Sequence, residues 1–250
     1  SNSKTLALPI TAQGNVEVDW GDGSEPDTSL SLTYAEEGNW GDGSEPDTSL
    51  SLTYAEEGIW EDGSEPDTSL SHTYAEEGVY EVTITGSGLF GFASNSAHSS
   101  KLISIEDWGD IKVKNDGYQF YNCSNLVDVG DIDVSNVTNM SYMFSGATSF
   151  NSDISDWNVS NVTKMTHMFD SATSFNQDLS SWNVSNVTDM DWMFYYASNF
   201  NQDLSSWDVS NVTNMSFMFN GATSFDSDIS DWDVSNVTEM SYMFQGATSF

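Results

Sequence analysis

The feature that most constrains the fold of this chain is an internal repeat of 25 residues in its second half. Five kinds of position recur at this spacing in one common register, which excludes a chance match. The recurring positions are Trp157, Trp182, Trp207 and Trp232; Met140, Met165, Met190, Met215 and Met240; Phe144, Phe169, Phe194, Phe219 and Phe244; Ala147, Ala172, Ala197, Ala222 and Ala247; and Phe150, Phe175, Phe200, Phe225 and Phe250. The period predicts stacked units, because so short a unit cannot bury its own apolar side.

Each repeat contains two different spacings of apolar residues. Trp157 and Val159 are two positions apart, as in a short strand that points both side chains to one side. Val162, Met165 and Met168 are three positions apart, which favours one or two turns of α- or 3₁₀-helix. We therefore predict a repeat solenoid of the leucine-rich-repeat type, with a short parallel strand and a helical turn in each coil and a core formed between coils.

Less regular repeats precede the regular ones. Phe120, Cys123 and Leu126 lie 24 residues before members of the Phe, Ala and second Phe columns. Cys123 takes the place of a small alanine, which favours buried packing over thiol reactivity. We assign residues 89–250 to the solenoid, with atypical first coils at 89–131 and regular 25-residue coils at 132–250.

The first third of the chain has a different repeat. A 19-residue string that begins WGDGSEPDTS occurs three times and is flanked by runs that alternate between apolar and polar residues. The copies run from Trp20 to Gly38, from Trp40 to Gly58 and, with changes at Glu61 and His72, from Trp60 to Gly78. The alternating runs predict strands. We expect residues 1–88 to form a small β-rich domain that contains a triplicated 20-residue segment.

The charge balance excludes whole classes of partner. The chain has 39 acidic residues against 5 lysine and arginine residues, for a formal net charge of -34. Nucleic acids and anionic membrane surfaces bind through lysine and arginine, so neither is an expected partner. Aromatic residues make up 13% of the chain, which excludes a disordered acidic tail and favours a folded protein.

The sequence contains no arrangement of residues typical of an active site. The three histidines, His72, His98 and His167, lie in unrelated contexts, and no nucleophile elbow, phosphate loop or zinc spacing is present. With 39 carboxylates, pairs of acids are expected from composition alone. We therefore expect a non-enzymatic protein that requires no cofactor.

Two polar columns have two interpretations each. One contains Asp153, Asp178, Asp203 and Asp228, and the other contains Asn136, Asn161, Asn186, Asn211 and Asn236. Stacking would bring the aspartates to about 5 Å from one another, so they either lie in solvent and accept turn amides or bind calcium. The asparagines either form a structural ladder that satisfies turn amides or, as Asn-Val-Thr sequons, accept glycans.

The variable positions of the repeats point to a binding face. One column is largely aromatic, and a second variable column, which includes Ser145 and Asp170, follows it. The predicted binding residues are Tyr142, His167, Trp192, Tyr195, Tyr196, Phe217 and Tyr242. An exposed aromatic stripe suits contact with protein or carbohydrate. The alternative is that the column packs into the core.

Two segments resemble known families. Trp20 to Ser24, with the sequence WGDGS, and His72 to Gly86 together look like the signature of a PKD-type immunoglobulin-like domain. Leu102 to Ile111 and Phe200 to Phe219 are similar to the repeat of bacterial surface proteins of the BspA-like leucine-rich-repeat class. The resemblance implies a PKD-like β cap before the solenoid.

This resemblance also implies a function and a location. It suggests an extracellular or cell-surface adhesion module that binds a protein or carbohydrate through one face of the solenoid. An alternative from a different class is a structural subunit of an extracellular fibre or filament, assembled by stacking or head-to-tail contact. That alternative is motivated by Phe250, where the sequence stops within a repeat, so that self-association through an uncapped last coil is expected.

Overall fold

The computed structural model describes residues 4–7, 10–19, 49–55, 71–74, 79–92 and 99–250. These residues belong to two compact units, one containing residues 1–113 and 128–132 and the other containing residues 114–127 and 133–250. His98, the WGDGS turns and most of the triplicated segment lie outside the described residues, so the predictions for them stay predictions.

The first unit is built from β-strands. The strands are β1 (Lys4–Ala7), β2 (Ile10–Asp19), β3 (Ser49–Ala55), β4 (Ser71–Tyr74), β5 (Val79–Phe90), β6 (Leu102–Asp107) and β7 (Asp110–Val113). A short 3₁₀-helix at Ser99–Lys101 precedes β6. Strands β1 and β4 form an antiparallel pair, and the larger sheet has the order β2-β5-β3-β6, with β7 parallel to the last residues of β5. The alternating runs predicted as strands are thus β2 and β5, which pair antiparallel.

The larger sheet extends past residue 88, where the sequence analysis placed the end of the β-rich domain. Phe90, at the end of β5, is fully buried and meets the ring of Trp108 edge-on at 5.3 Å. The indole Nε1 of Trp108 donates to the carbonyl of Val129 at 2.6 Å. Strands β6 and β7, predicted to be atypical coils, join this sheet because their backbone groups pair with β3 and β5.

In the second unit, like residues of successive repeats lie side by side. The N–H of Met140 donates to the carbonyl of Lys164 at 2.9 Å, and the N–H of Met165 donates to that of Asp189 at 3.1 Å. Parallel bridges join equivalent residues in the series Asn139, Lys164, Asp189, Asn214 and Glu239. The backbone of each repeat is therefore hydrogen-bonded to the next one in register. We call residues 133–250 the repeat stack.

Local structure within a repeat differs from the predicted strand and helical turn. The bridges lie just before the Met column, whereas Trp157 to Val159 has no regular structure. Residues 114–250 are all described and contain no α-helix; turns closed by i to i+3 bonds, such as Met168 N–H to Met165 C=O at 3.1 Å, take its place. A helix cannot propagate here because His167 has a φ of 55°, outside the right-handed helical region.

The core of the repeat stack consists of rings piled along its length. Phe144, Phe169, Phe194 and Phe219 are fully buried, and the centroids of neighbouring rings lie 5.5 to 5.7 Å apart. A fully buried phenylalanine contributes about 1.5–3 kcal/mol relative to an exposed one, so the stack depends on contacts between repeats. The predicted burial of Cys123 is confirmed, and burial raises the pKa of its thiol well above the ordinary value.

Candidate functional site: an aromatic ladder on the repeat stack

The aspartate column predicted as a calcium site is engaged in local turns. Asp153 Oδ1 accepts the backbone N–H of Ser155 at 3.0 Å, and Asp203 Oδ1 accepts that of Ser205 at 2.9 Å. The same turns occur at Asp178 and Asp228. Hydrogen bonds from the turn lower the pKa of Asp153, Asp203 and Asp228. Within the described part of the chain, no three acidic, histidine or cysteine side chains converge as a metal site requires. The calcium interpretation therefore lacks its ligand cluster.

The asparagine column links one repeat to the preceding one. Asn161 Nδ2 donates to the carbonyl of Ser135 at 2.8 Å, and Asn186 Nδ2 donates to that of Ser160 at 2.8 Å. Asn211 and Asn236 make the equivalent bonds to Ser185 and Ser210. The sequence analysis expected these side chains to accept hydrogen bonds from turn amides. In the structure they instead donate hydrogen bonds to backbone carbonyls. The column is a structural ladder along one edge of the stack.

The aromatic column forms a second ladder on the surface of the second unit. We define the aromatic ladder as Tyr118, Tyr142, His167, Trp192, Phe217 and Tyr242. Successive rings are stacked, with centroid distances of 4.6, 4.4, 5.1, 4.2 and 5.0 Å along the series. Interplanar angles rise from 5° at the first pair to 28° at the last. Most ring faces are therefore covered by a neighbouring ring, which leaves mainly the ring edges to meet a ligand.

A strained backbone holds each ladder residue in place. All six residues have a positive φ, between 55° and 62°. This conformation costs a residue with a Cβ about 1–2 kcal/mol. Backbone hydrogen bonds to the next repeat, such as Tyr142 N–H to Thr166 C=O at 2.8 Å, fix it. Ring stacking contributes about 0.5–1.5 kcal/mol per pair, which offsets much of the strain.

The ladder lies at the surface and not in the core. Tyr142, His167, Trp192 and Phe217 are each half-buried, whereas the preceding and following methionine columns are mostly buried. Tyr242 is 60% exposed. These residues therefore lie outside the fully buried core, and part of each ring is accessible. The seven predicted binding residues all belong to the ladder or adjoin it.

Two tyrosines lie crosswise on the ladder. Tyr121 meets Tyr118 and Tyr142 edge-on at 5.5 and 6.2 Å. Tyr195, the equivalent residue three repeats later, lies 4.2 Å from Trp192 at an angle of 52°. The repeats between them have Ser145 and Asp170 at this position, so the ladder is not crossed by a ring there.

Tyr196 adds a further exposed ring beside Tyr195. The two rings are perpendicular, at 80°, with centroids 4.5 Å apart, and Tyr196 is 51% exposed. Tyr196 has a φ of 50° at a position that is glycine in the next two repeats. A Cβ on Gly221 would lie 2.9 Å from the Tyr196 ring, so this ring rests on the glycine of the next repeat.

Two carboxylates accompany these rings. Asp170 Oδ2 lies 2.9 Å from His167 Nδ1, and Ser171 Oγ donates to Asp170 Oδ1 at 2.8 Å. Asp191 occupies a column that contains only serine or threonine in the other regular repeats, and its Oδ1 is buried without a hydrogen-bond partner. Burial, followed by the charge of Asp189, raises the pKa of Asp191. Burial and then the neighbouring Tyr118, Asp191 and Asp170 raise the pKa of Tyr142.

Departures from the repeat consensus are concentrated in one region, which we call the central patch. It consists of His167, Asp170, Asp191, Trp192, Tyr195 and Tyr196. Positions where a sequence breaks its own structural rule are often functional. Sequence reasoning named Tyr195 and Tyr196 but missed Tyr118, Tyr121 and Asp191 as site residues. The first two lie 24 residues before Tyr142 and Ser145, and Asp191 is the sole acid in its column.

Comparison with known proteins places the repeats in one family. The family described as Mycoplasma protein of unknown function, DUF285, matches residues 89–193 and 178–250, which together exceed half of the chain. The matched region starts where the sequence analysis placed the first coils. No curated protein and no solved structure matches the chain. The part of the chain that the structure describes includes no helix with the length and hydrophobicity of a membrane span.

Proposed function

Because the chain belongs to the DUF285 family, whose function is unknown, we propose a role for it from the geometry of its own surface. Residues 89–250 act as a solenoid-type binding module that is non-enzymatic and recognises a partner through the aromatic ladder. The observation that carries this proposal is the ladder itself: six stacked rings held at the surface by a strained backbone. Strained residues of this kind cluster at ligand clamps and active sites.

The composition of the central patch supports a recognition role. Tyrosine and tryptophan dominate the energetically important centres of protein interfaces because they bury a large area with few rotatable bonds. Trp192, Tyr195 and Tyr196 provide such a centre within a single repeat. Tyr196 is the most accessible of the three, and the stack behind it is tied together by backbone hydrogen bonds. A rigid, preorganised face of this type loses little entropy on binding.

The hydrogen bonds of the patch support the absence of catalysis. Ser171, Asp170 and His167 resemble a hydrolase triad in composition. In a catalytic triad the serine hydroxyl is bonded to the histidine, which takes its proton. Here the Ser171 hydroxyl donates to Asp170, and Asp170 separates it from His167. This order keeps His167 from acting as the base of Ser171, so the three residues are better explained as a polar contact surface.

The stacking of the ladder rings determines which class of ligand their exposed surface can bind. Sugars generally pack on the open face of an aromatic ring, and the ladder rings cover one another's faces. Tyr195 and Tyr196, which lie across the ladder, have the more open rings. This arrangement favours a protein partner over a carbohydrate. The resemblance to bacterial surface proteins supports an extracellular or cell-surface location.

A pair of arrays, one of peptides and one of glycans, tests the proposal. The variant Tyr195→Asn with Tyr196→Gly restores the residues found at Asn220 and Gly221 in the next repeat, so it is expected to keep the fold. We expect at least one array component to bind the natural chain and to lose binding to this variant at an unchanged melting temperature. The control variant, Asp156→Ser with Asp231→Ser, changes two positions that do not belong to the patch. It introduces the serine found in the same column at Ser181 and Ser206, and it should retain binding. Identical array profiles for all three proteins would contradict the proposal.

A further inference from the structure

We propose that the central patch recognises a basic side chain, arginine above all, presented by an extended segment of the partner protein. This inference rests on the proposed function and specifies its ligand. The first observation is that the central patch contains two carboxylates, each in a column that is otherwise uncharged in the regular repeats. Asp170 and Asp191 stand where other repeats have serine, threonine, asparagine, glutamine or tyrosine.

Asp170 is held ready to accept a cation. Its two oxygens are oriented by His167 Nδ1 and by the Ser171 hydroxyl, and its side chain is 19% exposed. The fixed orientation reduces the entropy that a salt bridge at a surface normally costs. Asp170 also lies next to Tyr195, because the two residues are equivalent in adjacent repeats and Ser171 N–H donates to the Tyr195 carbonyl at 2.7 Å.

The rings around the carboxylate favour a guanidinium group. Tyr195 and Tyr196 meet at 80°, so they form two walls of a corner. A guanidinium group is planar, stacks on aromatic rings and bonds carboxylates in a two-pronged manner, whereas a lysine ammonium does neither as well. The combination of an oriented carboxylate and an open ring corner therefore selects arginine over lysine.

The charge of the surroundings favours the same ligand. Lys164 is the only lysine or arginine between residues 115 and 250, and it is exposed. The titratable groups facing Asp170 are His167, Tyr142 and Tyr195. Asp191 interacts with the same His167 and Tyr142, and Asp189 lies beside Asp191. A basic segment therefore meets little repulsion. An acidic or phosphorylated segment would meet like charge.

The spacing of the crosswise tyrosines suggests that the segment is extended. Tyr121 and Tyr195 occupy equivalent positions three repeats apart. At the ordinary spacing of about 4.8 Å between adjacent strands, they are separated by about 14 Å along the stack. About four extended residues span that distance. Asp170 lies one repeat before Tyr195 and two repeats after Tyr121, so about 10 Å, or about three extended residues, separate an arginine at Asp170 from Tyr121.

Two synthetic peptides test the inference on the full chain. One is acetyl-Gly-Arg-Gly-Gly-Arg-Gly-amide, and the other has neutral citrulline in place of each arginine. Titrations are followed by the NMR shift of the Trp192 indole N–H at about 0.15 M salt, where long-range attraction is screened beyond about 8 Å. We expect the arginine peptide to bind at least about fivefold more tightly than the citrulline peptide.

Matched charge variants separate a local site from the overall negative charge. Asp170→Ser with Asp191→Ser and the control Asp156→Ser with Asp231→Ser each remove two negative charges and insert residues found elsewhere in the same columns. The patch variant should weaken the arginine peptide about fivefold or more, and the control by less than about twofold. Equal weakening by both, equal binding of both peptides, or an unmoved Trp192 signal would overturn the inference. If an array component still distinguishes the natural chain from the Tyr195 and Tyr196 variant, only this inference fails and the proposed function stands.

Discussion

The indole Nε1 of Trp182 donates a hydrogen bond to the carbonyl oxygen of Ile154, 28 residues earlier in the chain, at 3.0 Å. The same bond joins Trp207 to Leu179 and Trp232 to Leu204. Each of these tryptophans is buried, so each takes its polar group out of water and satisfies it in the preceding repeat. The repeats are consequently coupled by polar bonds as well as by apolar contact.

Substitution of Trp182 by phenylalanine should expose this coupling. The ring that replaces it cannot donate a hydrogen bond, which leaves the buried carbonyl of Ile154 without this partner. We expect the free energy of unfolding to fall by about 1–3 kcal/mol. Urea denaturation measures the change. Trp157→Phe, at a half-buried ring of the same column, should cost less, and an equal cost at both positions would contradict the role given to the bond.

Replacement of Asp191 by serine should stabilise the chain at neutral pH. Serine fills this column at Ser141, Ser216 and Ser241, and the change removes a buried carboxylate oxygen that has no hydrogen-bond partner. We expect a gain of about 1 kcal/mol. The threonine-to-serine exchange at Thr166 in the same column is the control and should leave the stability nearly unchanged.

The gain at Asp191 should depend on pH with a definite sign. Burial raises the pKa of Asp191 in the folded state, so folding favours the protonated carboxyl. The charged form destabilises the native state at neutral pH, and this effect disappears as the pH falls through the folded-state pKa. The advantage of Asp191→Ser over the natural chain should therefore shrink in acid. An advantage that grows with acidity would contradict this account.

The turn aspartates should show the opposite dependence. Turn hydrogen bonds lower the pKa of Asp203 in the folded state, so its stabilising effect is present above the unfolded-state pKa and is lost as the pH falls through the folded-state value. Asparagine keeps the acceptor, as Asn158 shows by accepting the N–H of Ser160 at 3.2 Å. Asp203→Asn should therefore fold as well at neutral pH and lose less stability in acid. Thermal melting from neutral to acidic pH measures both; a steeper acid loss in the variant would refute the assignment.

Gly221 and Gly246 provide a matched pair for the contact beneath Tyr196. Both have a positive φ, of 72° and 78°, but a Cβ on Gly221 would meet the Tyr196 ring at 2.9 Å, whereas one on Gly246 would find its nearest atom at 3.5 Å. Both alanine variants carry the backbone strain of about 1–2 kcal/mol. Gly221→Ala should cost more and should shift the NMR signals of Tyr196. On a Tyr196→Gly background the two costs should become similar; a persistent difference there would rule out the ring contact as its cause.

The sequence predicted the buried columns well, because apolar side chains that recur in one register must share one environment. Trp182, Met190 and Phe194 are buried as expected, and their partners are equivalents in the next repeats. The backbone was less predictable. The spacing of apolar residues does not depend on the sign of φ. It therefore could not predict the positive-φ turn that places His167 and Trp192 outside the fully buried core.

The candidate site was predictable in part, because comparison of equivalent positions shows which residues vary among the repeats. Variation among repeats identified Tyr195 and Tyr196, since both depart from their columns. The carboxylates were harder to interpret. Proximity within a column follows from stacking, but the sequence does not show whether an acid such as Asp153 bonds its own turn or faces a ligand. That choice depends on distances of a few ångströms between side chain and backbone.

The central claim is that equivalent residues of successive repeats lie in register, and a distance measurement tests it most directly. Ser149 and Ser249 are exposed equivalents four repeats apart, and spin labels at both can be placed in a Cys123→Ala background, which copies the alanine of that column. With about 4.8 Å between adjacent repeats, double electron–electron resonance should give a narrow distance distribution near 20 Å, or roughly four times the strand spacing. A broad distribution, or one centred beyond about 30 Å, would contradict the stacked arrangement.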